Sequence, residues 1–226
     1  MSVLRAAWII ARKDLLVEAR SRELAYTTIF FAVACVLVFA FAFVREGRSP
    51  EGAAEGILWV AIAFSGTLAL NRAFERERQG ETLRALLLAP TERAAVYLGK
   101  LSGLFLLMLC VEAVVVPIVG LLFDAPILRA PVMLASLLAV GTLGYAAVGT
   151  LFAAMLVRAH SRDVLLPILL YPITVPVIIA GVRGTGAVFA VDPNLEAARA
   201  WLSMLVFFDA VFVTLALWVF APVMSE

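Results

Sequence analysis

Long apolar runs alternate with short polar stretches along the whole chain, a pattern that predicts helices crossing a membrane. Leu24 to Val44 is 21 residues without a charge, enough to cross hydrocarbon at ~1.5 Å per residue. Taken together the runs predict six spans, at 24–44, 53–74, 94–123, 132–157, 164–182 and 201–222. The second is the shortest: Ile57 to Leu70 supplies 14 apolar or small residues, and it crosses only when extended back through Ala53 and forward to Phe74. Ahead of the first span, Met1 to Arg22 sets Leu4, Trp8, Ala11 and Leu15 against Arg5, Arg12, Lys13 and Arg20. That is the pattern of an amphipathic helix lying in the interface. A cleaved signal peptide is the alternative, but the charged region and the apolar run are both too long, and Phe43-Val44-Arg45 offers no small-residue cleavage site.

Composition agrees with the pattern. With 64% hydrophobic residues, 15% charged and a mean hydropathy of +1.03, the chain falls in the integral membrane range. Six spans leave little over for a soluble domain in 226 residues, so residues 1–226 are expected to form a single transmembrane domain. Cys35 and Cys110 both fall in apolar runs and read as small hydrophobes. No metal site, redox chemistry or nucleic-acid partner is suggested. Motifs for a P-loop, HExxH, CxxC and GxSxG are absent; the one Gly-Lys pair, Gly99-Lys100, precedes Leu101 and has Ala94 where the first P-loop glycine belongs. An enzyme reading therefore has no residues to stand on.

Charge placement sets the expected orientation. Of the 18 Lys and Arg residues, 13 lie in 1–23, 71–100 and 158–163, and the other five are Arg45, Arg48, Arg129, Arg183 and Arg199. The positive-inside rule then puts both termini in the cytoplasm. The stretch Asn71 to Lys100 carries ten formal charges between two apolar runs, so it is expected to be a cytoplasmic loop. Within it Gly80 interrupts a charged helix end, and Glu81 to Ala89 resumes with Leu83, Leu86 and Leu87 at helical spacing before Pro90 stops the run. A helix this short needs a docking surface to be stable. A solvated loop with one helical turn is the plainer alternative.

That stretch, with its ExExxGETLxxLLxxP pattern, resembles the coupling segment of ABC-2 type permeases, and the likeness implies that residues 72–93 press into a groove of a separate ATPase. In this reading Leu83, Leu86, Leu87 and Pro90 shape the docking helix, while Glu75, Glu77 and Glu81 supply charge. A closer resemblance is carried by SRDVLLPILLYPITVPVIIAG, by ILWVAIAFSGTLALNRAFERERQGETLRALLLAP and by the opening ARKDLLVEARSRE. These are similar to the haem exporter B family (CcmB), the permease subunit of the cytochrome c maturation system. The resemblance implies an all-α, six-span ABC-2 type exporter transmembrane domain in the bacterial inner membrane. It also implies pairing with a second copy, service by a cytoplasmic ATPase that holds the ATP, a haem-handling membrane protein as neighbour, and haem as cargo.

Other residues invite roles of their own. Pro167, Pro172 and Pro176 fall in ten residues of the fifth span beside Tyr171; each removes a backbone donor, so the helix is expected to bend and to turn its freed carbonyls to protein or a hydrated cavity. Glu112 and Asp209 lie within the third and sixth spans, where an ionised carboxylate costs about 2.5–3.5 kcal/mol, so each must face the bundle, be paired or be protonated. His160, the sole histidine, sits in a short turn, where a solvated imidazole is the commoner case and haem ligation has no supporting residues. Between the last two spans, Asp192-Pro193 suits a helix start and suggests a short outer helix or re-entrant turn over 183–200, with a plain loop as the alternative. Gly99, Gly103, Gly141, Gly144, Gly149 and Ala153 are spaced for close helix contacts.

Rival readings keep the same topology. An ABC-2 exporter of a drug, lipid or polysaccharide would share the coupling segment but not the proline run. A non-transporting scaffold would use ATP hydrolysis in a partner to release a haem carrier. A proton-coupled secondary transporter would use Glu112 and leave 75–90 unexplained.

Overall fold

The computed structural model describes residues 2–44, 52–79, 92–159 and 161–223. Helix α1 (Val3–Ser21) comes first, followed by α2 (Glu23–Phe43), α3 (Ala53–Gln79), α4 (Arg93–Phe123), α5 (Pro131–Met155), α6 (Arg162–Phe189) and α7 (Leu195–Val223). A 3-10 turn, Leu156–Arg158, follows α5. Among the described residues α2 to α7 are each long and apolar enough to cross a membrane. The chain is an all-α membrane protein, as its hydropathy requires.

α1 and α2 are separated by Arg22 alone, which sits in the left-handed region at φ 53. Its N–H donates to Glu18 O at 2.6 Å, and the Glu18 side chain accepts from Ala25 N at 2.7 Å. The corner is thus closed from both sides. α1 lays Ala6, Ala7, Ile10 and Ala11 inward, where Gly99 of α4 meets it so closely that an added Cβ would stand 2.7 Å from Ile10 Cβ. Leu4, Trp8, Ile9, Leu16 and Val17 stay exposed. The helix therefore has two apolar faces, one toward the bundle and one outward.

α3 and α5 form the centre of the bundle: 61% of the apolar window of each is buried, against 28% for α2 and 17% for α7. In lipid no hydrophobic force drives helices together, so close van der Waals fit and interhelical hydrogen bonds must do it. Trp59 of α3 illustrates both. Its ring fills a slot whose walls are Gly141 of α5 and Gly181 of α6, and its Nε1 donates to Thr185 Oγ1 at 3.0 Å. Gly149 of α5 similarly admits Leu70, and Ala153 is fully buried. On α4, Tyr97 donates to Ala147 O at 3.0 Å and packs its ring 5.3 Å from that of Phe220.

The ends of α3 and α6 and the start of α7, at Leu195 rather than 201, depart from expectation. α3 continues five residues past Phe74, because a helix satisfies its own backbone wherever it emerges from hydrocarbon. α6 runs through Arg183 to Phe189 instead of ending at Val182. Gly184 is a packing residue, its absent Cβ leaving space for Leu137, and Gly186 faces the Glu55 carboxylate. Only 190–194 connect α6 to α7, so the expected outer helix or re-entrant turn is replaced by a tight hairpin whose following helix is the last span itself. Asn194, not Asp192, caps α7 by accepting from Ala197 N at 2.9 Å. Arg129 closes the same end, donating to Ala190 O at 2.7 Å and Val191 O at 3.0 Å.

Candidate functional site

Residues 80–91, with Glu81, Leu83, Leu86, Leu87 and Pro90, lie outside the described residues, as do the side chain of Glu77 and all of His160. The two helices that lead into and out of that segment are described. Near the end of α3, Arg76 Nη1 reaches Glu18 Oε2 of α1 at 3.2 Å, and its Nη2 donates to Ser21 Oγ at 3.4 Å. Near the start of α4, Lys100 Nζ lies 2.8 Å from Asp14 Oδ2 of α1, whose other oxygen is 2.9 Å from Lys13. Asp14 and Glu18 stand one turn apart, on one face of α1. That face clamps both flanks of the segment.

A third contact reaches the same place. Arg162, buried at the first position of α6, donates to the carbonyls of Asn71 and, at 3.5 Å, of Leu70, and lies 3.9 Å from Glu75 Oε2. Glu75 is thus drawn against α6. Nothing in the sequence says which partner Arg162, Lys100, Asp14, Glu18 or Arg76 will meet; the available signal is Lys100, a cation two turns inside the apolar α4, and it names no partner.

Within the span region the polar side chains converge on α5. Thr142 donates to Glu112 of α4. Tyr145 donates to Ala63 O at 2.6 Å, and its hydroxyl lies 2.7 Å from Thr67 Oγ1, which in turn lies 3.1 Å from the hydroxyl of Tyr171. One hydroxyl chain thereby joins α3, α5 and α6. Asp209 of α7 packs against Gly144, and neither of its carboxylate oxygens has a hydrogen-bond partner among the described residues. Both intramembrane acids face the bundle.

Of the proline cluster, Tyr171 enters this hydroxyl chain, Pro167 and Pro176 are half-buried and Pro172 is exposed. α6 remains one helix through all three. The buried face beside them is Leu166, Leu170, Thr174 and Val177.

Comparison with known proteins agrees with this architecture. A family model described as CcmB protein matches residues 5–225. The protein of Paracoccus denitrificans named Heme exporter protein B is 33% identical over 195 residues, 85% of this chain and 84% of that one. Its namesake in Pseudomonas aeruginosa is 29% identical over 173 residues, 76% and 77% of the two chains. A third, from Escherichia coli K12, is 36% identical over 97 residues, 42% and 44%. A match that begins in α1 and runs past the end of α7 takes in every helix described above, and with it the conclusion that this chain is a multi-pass bacterial membrane protein belonging to the CcmB family.

Proposed function

We propose that this chain is the membrane subunit of an ATP-driven exporter for haem, working with a separate cytoplasmic ATPase that docks on residues 72–93. Haem as the cargo rests on the names of the relatives. The single observation that supports coupling is the clamp on both flanks of 80–91: Arg76 and Lys100 hold the segment's two ends to one face of α1, so a push on the segment is delivered to α1, α3 and α4 together. Both termini lie in the cytoplasm in this reading, a second copy completes the transport unit, and a haem-handling membrane protein receives the cargo. The sequence carries no P-loop motif; in this reading the chain contributes the docking helix and a bundle whose helices are joined by side-chain hydrogen bonds.

The test is co-purification of the ATPase with the full chain. Docking of a small helix concentrates binding in a few buried side chains, each costing about 2 kcal/mol or more when truncated. Leu83→Ala and Leu87→Ala are expected to release the ATPase while the chain stays folded in the membrane, and Glu92→Ala, beyond Pro90, to retain it. Retention by both leucine variants with full haem-dependent ATP hydrolysis would overturn the proposal.

A further inference from the structure

Between α1, α2, α3 and α4 lies a cavity of about 460 Å³, within the ~300–1,000 Å³ typical of small-molecule sites. It follows α4 from Lys100 to Cys110, ~15 Å of helix. Leu104 and Leu107 line its wall, with Leu24 and Phe74 opposite them. At the end nearest α1 the lining changes character. Lys13, Arg22, Arg76 and Lys100 gather there with two carboxylates, Asp14 and Glu18, and both carboxylates are already bonded to cations of the chain. Among the described lining residues the four cations outnumber the two carboxylates by two, above an apolar trough.

A trough of this kind at the boundary where an interfacial helix meets a spanning bundle fits one class of molecule. We propose that the cavity binds a single anionic phospholipid, an acyl chain lying along α4 and the phosphate at the Lys13, Arg22, Arg76 and Lys100 rim. Apolar walls filled by water are costly, which favours a hydrocarbon occupant. Each basic residue near an anionic headgroup favours its binding, whereas a zwitterionic headgroup brings its own cation and forfeits much of that preference. Such a lipid would sit against α1, α3 and α4 at once, behind the clamp on 80–91. The assignment rests on the cavity and its charge alone and stands independently of the cargo and the ATPase.

Cys110 provides the reporter, because it lines the cavity and is exposed. The full chain carrying Cys35→Ser is placed in phosphatidylcholine nanodiscs, with or without one-fifth phosphatidylglycerol, and the rate of Cys110 alkylation by N-ethylmaleimide is followed. Phosphatidylglycerol is expected to slow alkylation at least about fivefold, the factor that ~1 kcal/mol represents, and to remain with the protein through detergent extraction. Lys13→Gln with Arg22→Gln should abolish that protection. Gly103→Phe has room to start, since a Cβ there would lie 3.6 Å from Asp14 Cβ; by filling the cavity it should slow alkylation in both discs and leave no phosphatidylglycerol retained. Equal rates in the two discs, protection that survives the double neutralisation, or phosphatidylglycerol retained by Gly103→Phe would each overturn the proposal. So would haem slowing alkylation in phosphatidylcholine discs where phosphatidylglycerol has no effect, which would assign the cavity to a different anionic amphiphile.

Discussion

Two glycines, Gly181 of α6 and Gly103 of α4, have opposite tolerance for a methyl group. Gly181 faces the Trp59 indole with no space for a Cβ, whereas a Cβ at Gly103 meets nothing nearer than 3.6 Å. Gly181→Ala is therefore expected to destabilise the bundle by about 1–3 kcal/mol through overpacking. Gly103→Ala should stabilise it by about 0.5–1 kcal/mol, since alanine is the better helix residue. Unfolding of both variants in a mixed-micelle SDS titration reads the sign directly, and equal effects would refute the slot at Trp59. The hydroxyl chain predicts a graded result. Tyr145→Phe removes a donor to Ala63 O and the contact with Thr67, while Tyr171→Phe removes only the 3.1 Å contact. Interhelical hydrogen bonds in membranes average about 0.6 kcal/mol with a maximum near 1.7, so the first substitution should cost more than the second on the same scale. The small-residue spacing marked Gly141, Gly144 and Gly149 as contact positions. It could not say that their partners would be Trp59, Asp209 and Leu70, because a partner on another helix leaves no trace in local spacing.

Among the elements, α1 changes most in meaning between sequence and structure. Its amphipathic pattern is plain in the residues, yet the face that packs on α4 is the small one, Ala6, Ala7, Ile10 and Ala11. Leu4 and Trp8, which the pattern nominates as its apolar side, point outward. Small side chains win the inner face because backbone approach at Gly99 needs them. The clamp on α3 and α4 is carried by Asp14 and Glu18, and removing one carboxylate should cost about 1.5–3 kcal/mol, the range for hydrogen bonds to charged groups. Asp14→Ala is accordingly expected to lower stability, and Asp14→Leu together with Lys100→Met to recover part of the loss, since a matched apolar pair avoids leaving a charge in apolar surroundings. Failure of the double variant to improve on Asp14→Ala would show that the pair does not act as a unit. The 183–200 region teaches the converse. Gly184, Gly186 and Asp192-Pro193 carry turn chemistry, but two of those glycines are helical packing residues, a role that composition cannot distinguish from a turn.

At the scale of the whole molecule, orientation is the prediction with the widest consequence. An even number of spans after α1 predicts both ends on one side, and the Lys and Arg distribution predicts that this side is the cytoplasm. With Cys35 and Cys110 replaced by serine, Val191→Cys, at a position 86% exposed in the α6–α7 hairpin, should react with an impermeant maleimide applied outside. Arg5→Cys on α1 should react only after permeabilisation, and the reverse pattern would invert the bundle and place 80–91 outside, ending the ATPase reading. The number of spans, the amphipathic first helix and the family were determined by the sequence alone, because the cost of exposing backbone and charge to hydrocarbon is met residue by residue and is written into length, hydropathy and motif. The centrality of α3 and α5, the convergence of Glu112, Tyr145 and Asp209 on one helix, the clamp across α1 and the charged rim above an apolar cavity were decided only by the tertiary structure. Each depends on groups tens of residues apart being brought within a few ångströms, and in lipid that selection is made by interhelical fit, which no periodicity along one chain segment encodes.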